Sequence, residues 1–572
     1  MIGGIFLELS LIIILAMIVS GIMRLLKQPL IIGYIITGIL ASPYFFELVR
    51  STDTIAMFSQ IGIAFLLFMV GLHLNPKVIM KFGKTSLLTG LIQVIFTSII
   101  GFFIAAFFNF SLVESLYIAV AIAFSSTIIV MKLISDKGDL ETLYGRISIG
   151  VLLVQDLIVI FMLMIISSMS NHVALTELIF STILKGIGLL FLISLASIFI
   201  LPRITNYIAK SQEFLFLFSI GWCFALAALF QMFNFSIEIG ALVAGISLSL
   251  SPYHYEIASK VKPLRDFFLI LFFIFLGSQM YLGNISEIIM PALILSFFVL
   301  VGKPLIIMII MGAFGYTKRN SFMSGISLAQ ISEFSLILVI LGVSVGHLSQ
   351  NMLPLITLVG IITMGISSYM ILYSERIYPH ISKYLRIFER RGKKVEHRYG
   401  DGKKDYEVIL FGCDRIGFDL IKSFEKINKK FLVIEYNPEI VLNLAKRGIN
   451  CIYGDANDIE LLNELRFSKV RMVISTIPEL ETNLLLIRKI RDVNKKAIII
   501  VVSHRIDEAI ELYREGATYV LMPHFLGGKY ASTLIESYGI NTDKFIEEKI
   551  KHLKDLEIRK KLGHEHPKHE RK

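Results

Sequence analysis

An aspartate in the middle of an apolar stretch is the feature that most constrains the fold of this chain. Asp156 lies within residues 147–166, with Gln155 as its polar neighbour. A stretch of about 20 apolar residues is long enough to cross a bilayer as a helix. An ionised carboxylate is costly at that depth, and a chain keeps one there for proton or cation binding. We therefore expect Asp156 to bind a proton or a monovalent cation inside a membrane.

Apolar stretches of this kind recur along the first 375 residues, and 55% of the whole chain is hydrophobic. We predict thirteen spans, at 5–23, 29–48, 54–73, 85–108, 112–134, 145–168, 177–201, 213–233, 236–250, 266–283, 289–313, 321–345 and 352–373. The chain becomes charged only after them. The pattern predicts a polytopic α-helical membrane domain at 1–375, a basic linker at 376–404 and a soluble remainder.

Basic residues collect in the loops that follow odd-numbered spans. They are Arg24, Lys27, Lys77, Lys81, Lys84, Lys137, Arg203, Lys210, Lys260, Lys262, Lys318 and Arg319, and Arg50 is the exception after an even-numbered span. The positive-inside rule then places the N-terminus outside the cell membrane and the C-terminal domain in the cytoplasm. The net charge of +11 reflects this bias and a basic tail, so no nucleic-acid partner is expected.

Polar residues interrupt two of the spans. They are Ser125, Ser126 and Thr127 in the fifth span, and Gln330, Ser332 and Glu333 in the twelfth. The two positions correspond when the seventh span is treated as a linker, which predicts inverted repeats with two broken, crossing helices. Broken helices expose main-chain carbonyls and dipole ends that suit a small cation. Serine and threonine also occur in unbroken helices, which is the alternative for the fifth span.

Lys303 is a further charge within a span, and it precedes Pro304, a residue type that kinks helices. An ammonium is tolerated in a membrane interior when it is paired. We therefore expect Lys303 to neutralise Asp156, Glu333 or the end of a half-helix. A fixed ion pair that only joins spans is the alternative for Lys303 and Glu333.

These motifs, together with GISLAQISEFS at 325–335, resemble the monovalent cation:proton antiporter 2 family, in particular its Kef-type branch. The resemblance implies a homodimer in which each subunit has a dimerisation domain and a mobile core with crossed, broken helices. It also implies elevator-like alternating access. Relatives with two adjacent acids in the sixth span are generally electrogenic sodium/proton exchangers, so Gln155 favours electroneutral exchange.

Exchange then follows from competition at one acid. Asp156 holds either a proton or one Na⁺ or K⁺, because either neutralises the same charge. The predicted transport site comprises Asp156, Gln155, Ser125, Ser126, Thr127, Lys303, Gln330, Ser332 and Glu333, with the monovalent cation at Asp156. Transport is expected to need no cofactor and no covalent chemistry, so the chain is not expected to be an enzyme.

Residues 405–525 alternate short apolar segments with helical stretches, and the segments are EVILF, FLVIE, CIYG, MVIST, AIIIVV and TYVLM. This alternation predicts a cytoplasmic, doubly wound α/β Rossmann-like domain. The first segment leads into Gly412 and Gly417, and the second ends at Glu435. The spacing approximates a dinucleotide fingerprint, with glycines for the turn and an acid for the ribose. Asp414 replaces the middle glycine, which leaves AMP, another nucleotide or no ligand open.

Asp455, after the third segment, strengthens a match to regulatory domains of the TrkA-N or RCK-N type. Such domains resemble nucleotide sensors that dimerise and gate an attached transporter. The candidate nucleotide residues are Gly412, Asp414, Arg415, Gly417, Glu435 and Asp455, with AMP, ATP or NAD(H) as the regulatory ligand. A purely structural Rossmann turn is the alternative. The tail at 526–572 is predicted to be helical and basic.

Two other classes of protein combine membrane spans with a Rossmann pattern. A ligand-gated K⁺ efflux channel-like system with an RCK-type domain needs a pore loop of the TVGYG type, which this sequence lacks, and it has no use for Asp156. A nucleotide sensor on a membrane anchor needs neither thirteen spans nor ionisable residues within them. Coupling of cation flux to a pH gradient separates an exchanger from a channel.

Overall fold

The computed structural model describes residues 2–43, 45–48, 52–73, 83–140, 142–168, 201–208, 211–233, 237–249, 253–279, 285–389, 404–413 and 415–561, with a few single positions between them. The chain divides into two compact units. The membrane unit contains Met1–Leu140 and Tyr144–Arg390, and the soluble unit contains Arg391–Lys572 together with Glu141–Leu143.

The membrane unit is helical in its described residues. Its helices are α1 Ile2–Leu25, α2 Leu30–Ala41, α3 Thr52–His73, α4 Gly83–Phe107, α5 Leu112–Ala123, α6 Thr127–Asp136, α7 Leu143–Ser168, α8 Leu201–Ile208, α9 Gln212–Met232, α10 Ile237–Ser249, α11 His254–Ser278, α12 Ile285–Phe297, α13 Lys303–Ala313, α14 Lys318–Ser327, α15 Glu333–Ser344, α16 Met352–Leu372 and α17 Ser374–Ile381. Every predicted span except the seventh contains one of them. The seventh, 177–201, lies almost wholly outside the described residues.

Length and composition confirm a polytopic α-helical membrane protein. Among the described residues, eight helical segments are long and apolar enough to cross a membrane, and α2, α10 and α15 contain shorter apolar helices. Many large apolar side chains on the outer helices are exposed, as at Phe103 and Phe107 on α4. Lipid is the environment that suits such a surface.

Both predicted breaks are present. The fifth span is divided into α5 and α6 by extended residues 124–126, and the twelfth into α14 and α15 by residues 328–332. The second half of each begins with a serine cap, since Ser126 Oγ accepts from Ile129 N–H and Ser332 Oγ accepts from Phe334 N–H. Capping stabilises a helix start inside the membrane unit.

Two reciprocal glycine contacts support the inverted repeat. A Cβ added at Gly38 of α2 would lie 2.8 Å from the Gly277 Cα of α11, and one added at Gly71 of α3 would lie 2.9 Å from the Gly245 Cα of α10. These pairs join spans two with ten and three with nine. A repeat that shifts the numbering by seven exchanges the two pairs, as it exchanges the broken spans five and twelve.

The eleventh span carries an irregular turn immediately before Lys303. Residues Phe298–Gly302 form a π-helical turn that connects α12 to α13. Such turns insert one residue into a helix and recur at functional sites. Pro304 follows this turn within a continuous helix, where it has no main-chain N–H to donate to the preceding turn.

The soluble unit confirms the α/β prediction. Its strands are β1 Val408–Phe411, β2 Phe431–Glu435, β3 Cys451–Tyr453, β4 Met472–Ser475, β5 Ile498–Val502 and β6 Tyr519–Leu521. All pairings are parallel, in the order β3-β2-β1-β4-β5-β6. The helices are α18 Arg415–Lys426, α19 Pro438–Lys446, α20 Ile459–Glu464, α21 Leu480–Val493, α22 Ile506–Arg514, α23 Pro523–Tyr538 and α24 Thr542–Lys561.

The motif glycines have steric reasons within this sheet. Gly412 follows β1 with a φ of +81°, and an added Cβ there would collide with Thr476 Oγ1 at the end of β4. A Cβ on Gly417 would lie 2.5 Å from Gly412 O, so this glycine allows α18 to approach the end of β1. These are the turn and packing functions of a Rossmann fingerprint.

We expect Gly412→Ala to destabilise the soluble unit by about 2–3 kcal/mol, because it adds a collision to the cost of a left-handed backbone. Gly448→Ala is the matched control, since Gly448 has a φ of +76° but open space around the added Cβ. It should cost only about 1 kcal/mol. Denaturant unfolding of both variants measures the difference, and equal losses would contradict the steric role of Gly412.

Candidate functional site

The two breaks cross inside the membrane unit and are joined by side-chain hydrogen bonds. Ser125 Oγ in the first break donates to Leu328 O at 3.0 Å in the second. Ser335 Oγ of α15 donates to Ala121 O of α5. Both serines are fully buried. The crossing therefore brings the predicted serine and glutamate segments together.

Asp156 lies on α7 beside the first break. Its Oδ2 accepts a hydrogen bond from Thr127 Oγ1 at 3.0 Å. Asp156 is 6% exposed, whereas Gln155 and Ser125 have no exposed area. Thr127 is the first residue of α6, so the positive end of the α6 dipole faces the carboxylate. These groups form an anionic, oxygen-lined site that suits a proton or a small cation.

Glu333 places a second carboxyl at the crossing. It is 1% exposed, opens α15 and lies 3.5 Å from Ser332 Oγ. Ser335, two residues further along α15, binds Ala121 O beside the first break. The structure thus brings both predicted acids to the two helix N-termini that the breaks create.

Lys303 neutralises helix ends, which is the third of the alternatives that the sequence left open. Its Nζ donates to Phe124 O at 2.9 Å, to Gln330 O at 3.0 Å and to Ile122 O at 3.4 Å. All three acceptors are main-chain carbonyls in or beside the breaks. The ammonium is fully buried, so it offsets the negative ends of the half-helices where they meet.

The last carbonyls of α5 are already occupied, which differs from the expectation that they are free for a cation. A helix end leaves four carbonyls without helical partners. Here Ser335 binds the first and Lys303 the second and fourth, at residues 121, 122 and 124. Gln93 Nε2 donates to Ala123 O at 3.0 Å. Each of the four therefore has a side-chain donor from this chain.

Gln93 is a site residue that the sequence interpretation missed. It is fully buried on α4, and its Oε1 accepts from Gln155 Nε2 at 2.5 Å. Gln155 Oε1 in turn accepts from Ser125 N–H at 2.9 Å. The signal was present, because Gln93 is the largest polar side chain in the fourth span.

The second break is held by hydroxyls from α16. Ser367 Oγ donates to Gln330 Oε1 at 2.5 Å, and Thr363 Oγ1 accepts from Ile331 N–H at 3.4 Å. Gln330 Nε2 is buried without a hydrogen-bond partner. Thr363 and Ser367 were not predicted, since both also bond to their own helix and resemble any membrane serine or threonine.

A cavity of about 190 Å³ is lined by residues that follow the two acids along α7 and α15. Its lining includes Ile160, one turn beyond Asp156 on α7, and Ile337, one turn beyond Glu333 on α15. Its polar lining residues are Ser59, Gln60 and Ser344. The cavity therefore lies between α7 and α15 on one side and α3, α10 and α11 on the other.

In the soluble unit, the Glu435 carboxylate binds main-chain amides. Its Oε2 accepts from Cys413 N–H at 2.7 Å and its Oε1 from Asn437 N–H at 2.9 Å, and the residue is 2% exposed. Asp455 Oδ1 accepts from Asn457 N–H. Asp414 and the side chain of Arg415 lie outside the described residues. Glu435 thus fixes the glycine loop from within the protein.

Comparison with known families gives two matches. The family described as sodium/hydrogen exchanger, transmembrane, matches residues 11–372, and the TrkA-N domain matches residues 408–523. The first match contains both breaks, Asp156 and Lys303. The second contains the whole parallel sheet.

Individual relatives span most of this chain. YbaL of Escherichia coli K12 is 25% identical over 529 residues, covering 89% of this chain and 93% of its own. The glutathione-regulated potassium-efflux system protein KefC of the same strain is 25% identical over 519 residues, covering 89% and 82%. The sodium proton antiporter MjNhaP1 of Methanocaldococcus jannaschii, a solved structure, shares 16% identity over 68% of this chain and 98% of its own, with a TM-score of 0.48.

Proposed function

Because this chain belongs to the sodium/hydrogen exchanger family and carries a TrkA-N domain, we propose that it exchanges K⁺ or Na⁺ for H⁺ at Asp156 by alternating access. The resemblance to Kef-type cation/proton antiporters is confirmed by these matches and by the relatives. The observation that carries the site assignment is one acid, Asp156, buried at the crossing of two broken helices with a hydroxyl donor beside it.

The mechanism is a competition for negative charge. The empty Asp156 carboxylate is held back from crossing the apolar barrier by its desolvation cost. A proton or a monovalent cation neutralises that charge, so the loaded core crosses. The hydroxyls of Thr127 and Ser126 and the Glu333 carboxyl supply further oxygen ligands. The carbonyls of α5 are bound by side chains and contribute none.

Cation and proton reach Asp156 through the cavity lined by Ser59, Gln60 and Ser344. Lys137 Nζ binds Ser374 Oγ at the end of the membrane unit where α7 begins. The cavity lies toward the other end of α7 and is the external entrance. The distribution of basic residues among the loops supports this orientation, with the N-terminus outside the cell membrane and the TrkA-N domain in the cytoplasm.

Exchange is one for one and electroneutral. Gln155 cannot titrate, and both ends of its amide are bound, to Ser125 N–H and to Gln93. The name of one relative refers to potassium, and the description of the family refers to sodium, so both ions are substrates to test.

Antiport in proteoliposomes tests this function. An imposed pH gradient should drive uptake of K⁺ or Na⁺, and Li⁺ serves as a third cation. Because the exchange is electroneutral, its rate should be the same whether an ionophore clamps the membrane potential or is omitted. Cation flux that moves no protons would instead support the channel-like alternative and contradict the exchanger.

The chain is organised as a transport domain at 1–375, a linker at 376–404, a regulatory domain at 405–525 and a helical tail at 526–572. The family matches at 11–372 and 408–523 support these boundaries. The glycine loop of Gly412 and Gly417 binds a regulatory nucleotide, AMP, ATP or NAD(H), that gates exchange. Glu435 positions this loop through Cys413 N–H.

A regulatory nucleotide should raise the melting temperature of the whole protein. A ligand at about 100 times its Kd stabilises the native state by about 2.7 kcal/mol. We expect AMP, ATP or NADH to produce such a shift and to change the exchange rate at the same concentration. Ribose 5-phosphate is the control that lacks the base. If none of the three nucleotides shifts the melting temperature, the sensor assignment is wrong.

Two copies of the chain form a homodimer. Support comes from apolar side chains that are exposed on α23 and α24 of the single chain. They are Phe525, Leu526, Tyr530, Ile535, Phe545, Ile546, Ile550, Leu553 and Leu556. No residue of α23 is buried, and a patch of this kind marks an interaction surface. The molar mass of the detergent-solubilised protein, from light scattering, tests the dimer.

A further inference from the structure

Gln93 closes a ring of hydrogen bonds around the first break. Its Nε2 donates to Ala123 O at 3.0 Å, and its Oε1 accepts from Gln155 Nε2. Gln155 Oε1 accepts from Ser125 N–H at 2.9 Å. The two amides therefore connect the carbonyl before Phe124 to the N–H after it. Every member of the ring is buried, so water does not compete for these bonds.

The ring fixes the break at the point where α5 ends. Phe124 lies between the two main-chain groups that the ring binds, and its carbonyl O accepts from Lys303 Nζ at 2.9 Å. Thr127 follows Ser125 by two residues and donates to Asp156 Oδ2. Asp156 is the neighbour of Gln155 on α7. The same helix therefore carries the acid and the side-chain amide of Gln155, which positions the Thr127 hydroxyl that donates to this acid.

Helix packing makes the length of the Gln93 side chain decisive. One turn before Gln93, a Cβ added at Gly90 would lie 2.9 Å from Val154 Cγ1. The main chain of α4 is therefore already packed against the Val154 side chain of α7, so the two helices cannot move closer to compensate for a shortened side chain.

Spans four and eleven exchange under the shift that relates the breaks, and each supplies one buried side chain to the crossing. Lys303 of span eleven binds both breaks, at Phe124 O and at Gln330 O. Gln93 of span four binds the first break alone, at Ala123 O. Gln93 is therefore the residue of this pair whose contacts with the breaks are confined to the one that carries Thr127.

We propose that Gln93 is a positioning residue that, through Gln155, sets the distance between Thr127 and Asp156 and thereby the affinity and selectivity for the cation. This inference depends on the proposed exchange at Asp156. Without Gln93, Ala123 O and Gln155 Nε2 are left buried and unpaired, and the break relaxes until they find partners. Thr127 moves with it.

Gln93→Leu in proteoliposomes tests the inference. The apparent KM for the transported cation should rise about tenfold while kcat stays within about twofold, the pattern of weakened substrate binding. The ratio of K⁺ to Na⁺ transport should change as well. Thr97→Val is the matched control, because Thr97 accepts from Gln93 at 3.0 Å but lies outside the ring. Its kinetics should match those of the wild type.

A double variant shows whether Gln93 acts through Gln155. Gln155→Leu should raise KM less in the Gln93→Leu background than it does alone, since coupled residues are not additive. Additive effects would overturn the ring, as would an unchanged KM or a fall in kcat alone that follows lost thermal stability. If Gln93→Leu does not fold, Gln93→Asn keeps the amide one methylene shorter and decides on the same readouts.

The wild-type protein separates failure of this inference from failure of the proposed function. If wild-type vesicles show no cation-coupled proton movement, the exchange at Asp156 is wrong, and the Gln93 inference falls with it. If the wild type exchanges and Gln93→Leu keeps its KM and its cation preference, the positioning role alone is overturned.

Discussion

Asp156→Asn should reduce cation-coupled proton flux to the level of protein-free vesicles. Asparagine has the size of aspartate and still accepts a hydrogen bond from Thr127, so the fold should persist. It carries no charge in any state, however, and neither a proton nor a cation can neutralise it. Exchange that depends on switching between charged and neutral forms is then lost. Fluorescent pH measurement in proteoliposomes with a K⁺ or Na⁺ gradient gives the result.

Asp53→Asn is the matched control for this experiment. Asp53 lies in the first turn of α3 and is exposed, so the same chemical change there should leave the flux intact. Residual exchange by Asp156→Asn above the protein-free level would mean that another group carries the proton. Glu333 is the buried carboxyl to replace next.

Lys303→Met should destabilise the membrane unit by about 3 kcal/mol or more, since buried acceptors left unpaired cost about 1–3 kcal/mol each. The substitution keeps the length of the apolar stem and removes the three bonds to Ile122 O, Phe124 O and Gln330 O. The carbonyl ends of two half-helices then face each other without a positive charge. A lowered melting temperature in detergent and a large loss of exchange are both expected.

Lys132→Met provides the comparison for Lys303→Met, because Lys132 is an exposed lysine of α6. It should melt close to the wild type. If Lys303→Met has the same melting temperature as Lys132→Met, the carbonyl contacts of Lys303 contribute little to stability. The assignment of Lys303 to the helix ends would then be contradicted.

The sequence identified those parts of the site that interrupt an apolar pattern. A carboxylate, an ammonium and clusters of hydroxyls within the spans are conspicuous, so Asp156, Lys303 and both breaks could be predicted. The parallel sheet could also be predicted, since short apolar segments alternate with helical ones in the sequence. The partners of Lys303 could not be predicted, because three alternatives were compatible with its position and only the geometry of the crossing selects the main-chain carbonyls.

Other residues left no distinctive signal. Thr363 Oγ1 donates to Val359 O of its own helix and also accepts from Ile331 N–H in the second break. The sequence does not distinguish these two uses of the hydroxyl. Gln93 was visible as an amide, but its partners come from spans five and six. Glu435 was predicted to bind a ribose, whereas its two oxygens hold Cys413 and Asn437 N–H. Both uses require a carboxylate at the end of β2.

The reciprocal glycine contacts have a mechanical consequence. At Gly38 with Gly277, and at Gly71 with Gly245, no side chain separates the helices, so sliding would force main-chain atoms together. The α2, α3, α10 and α11 set is accordingly the stiff part of the membrane unit. The breaks are joined to each other by side-chain hydrogen bonds and not by main-chain contact, so we expect movement between helices during transport to occur there. Conformational change is then expected at the ion site, while the four glycine-packed helices keep their positions relative to one another.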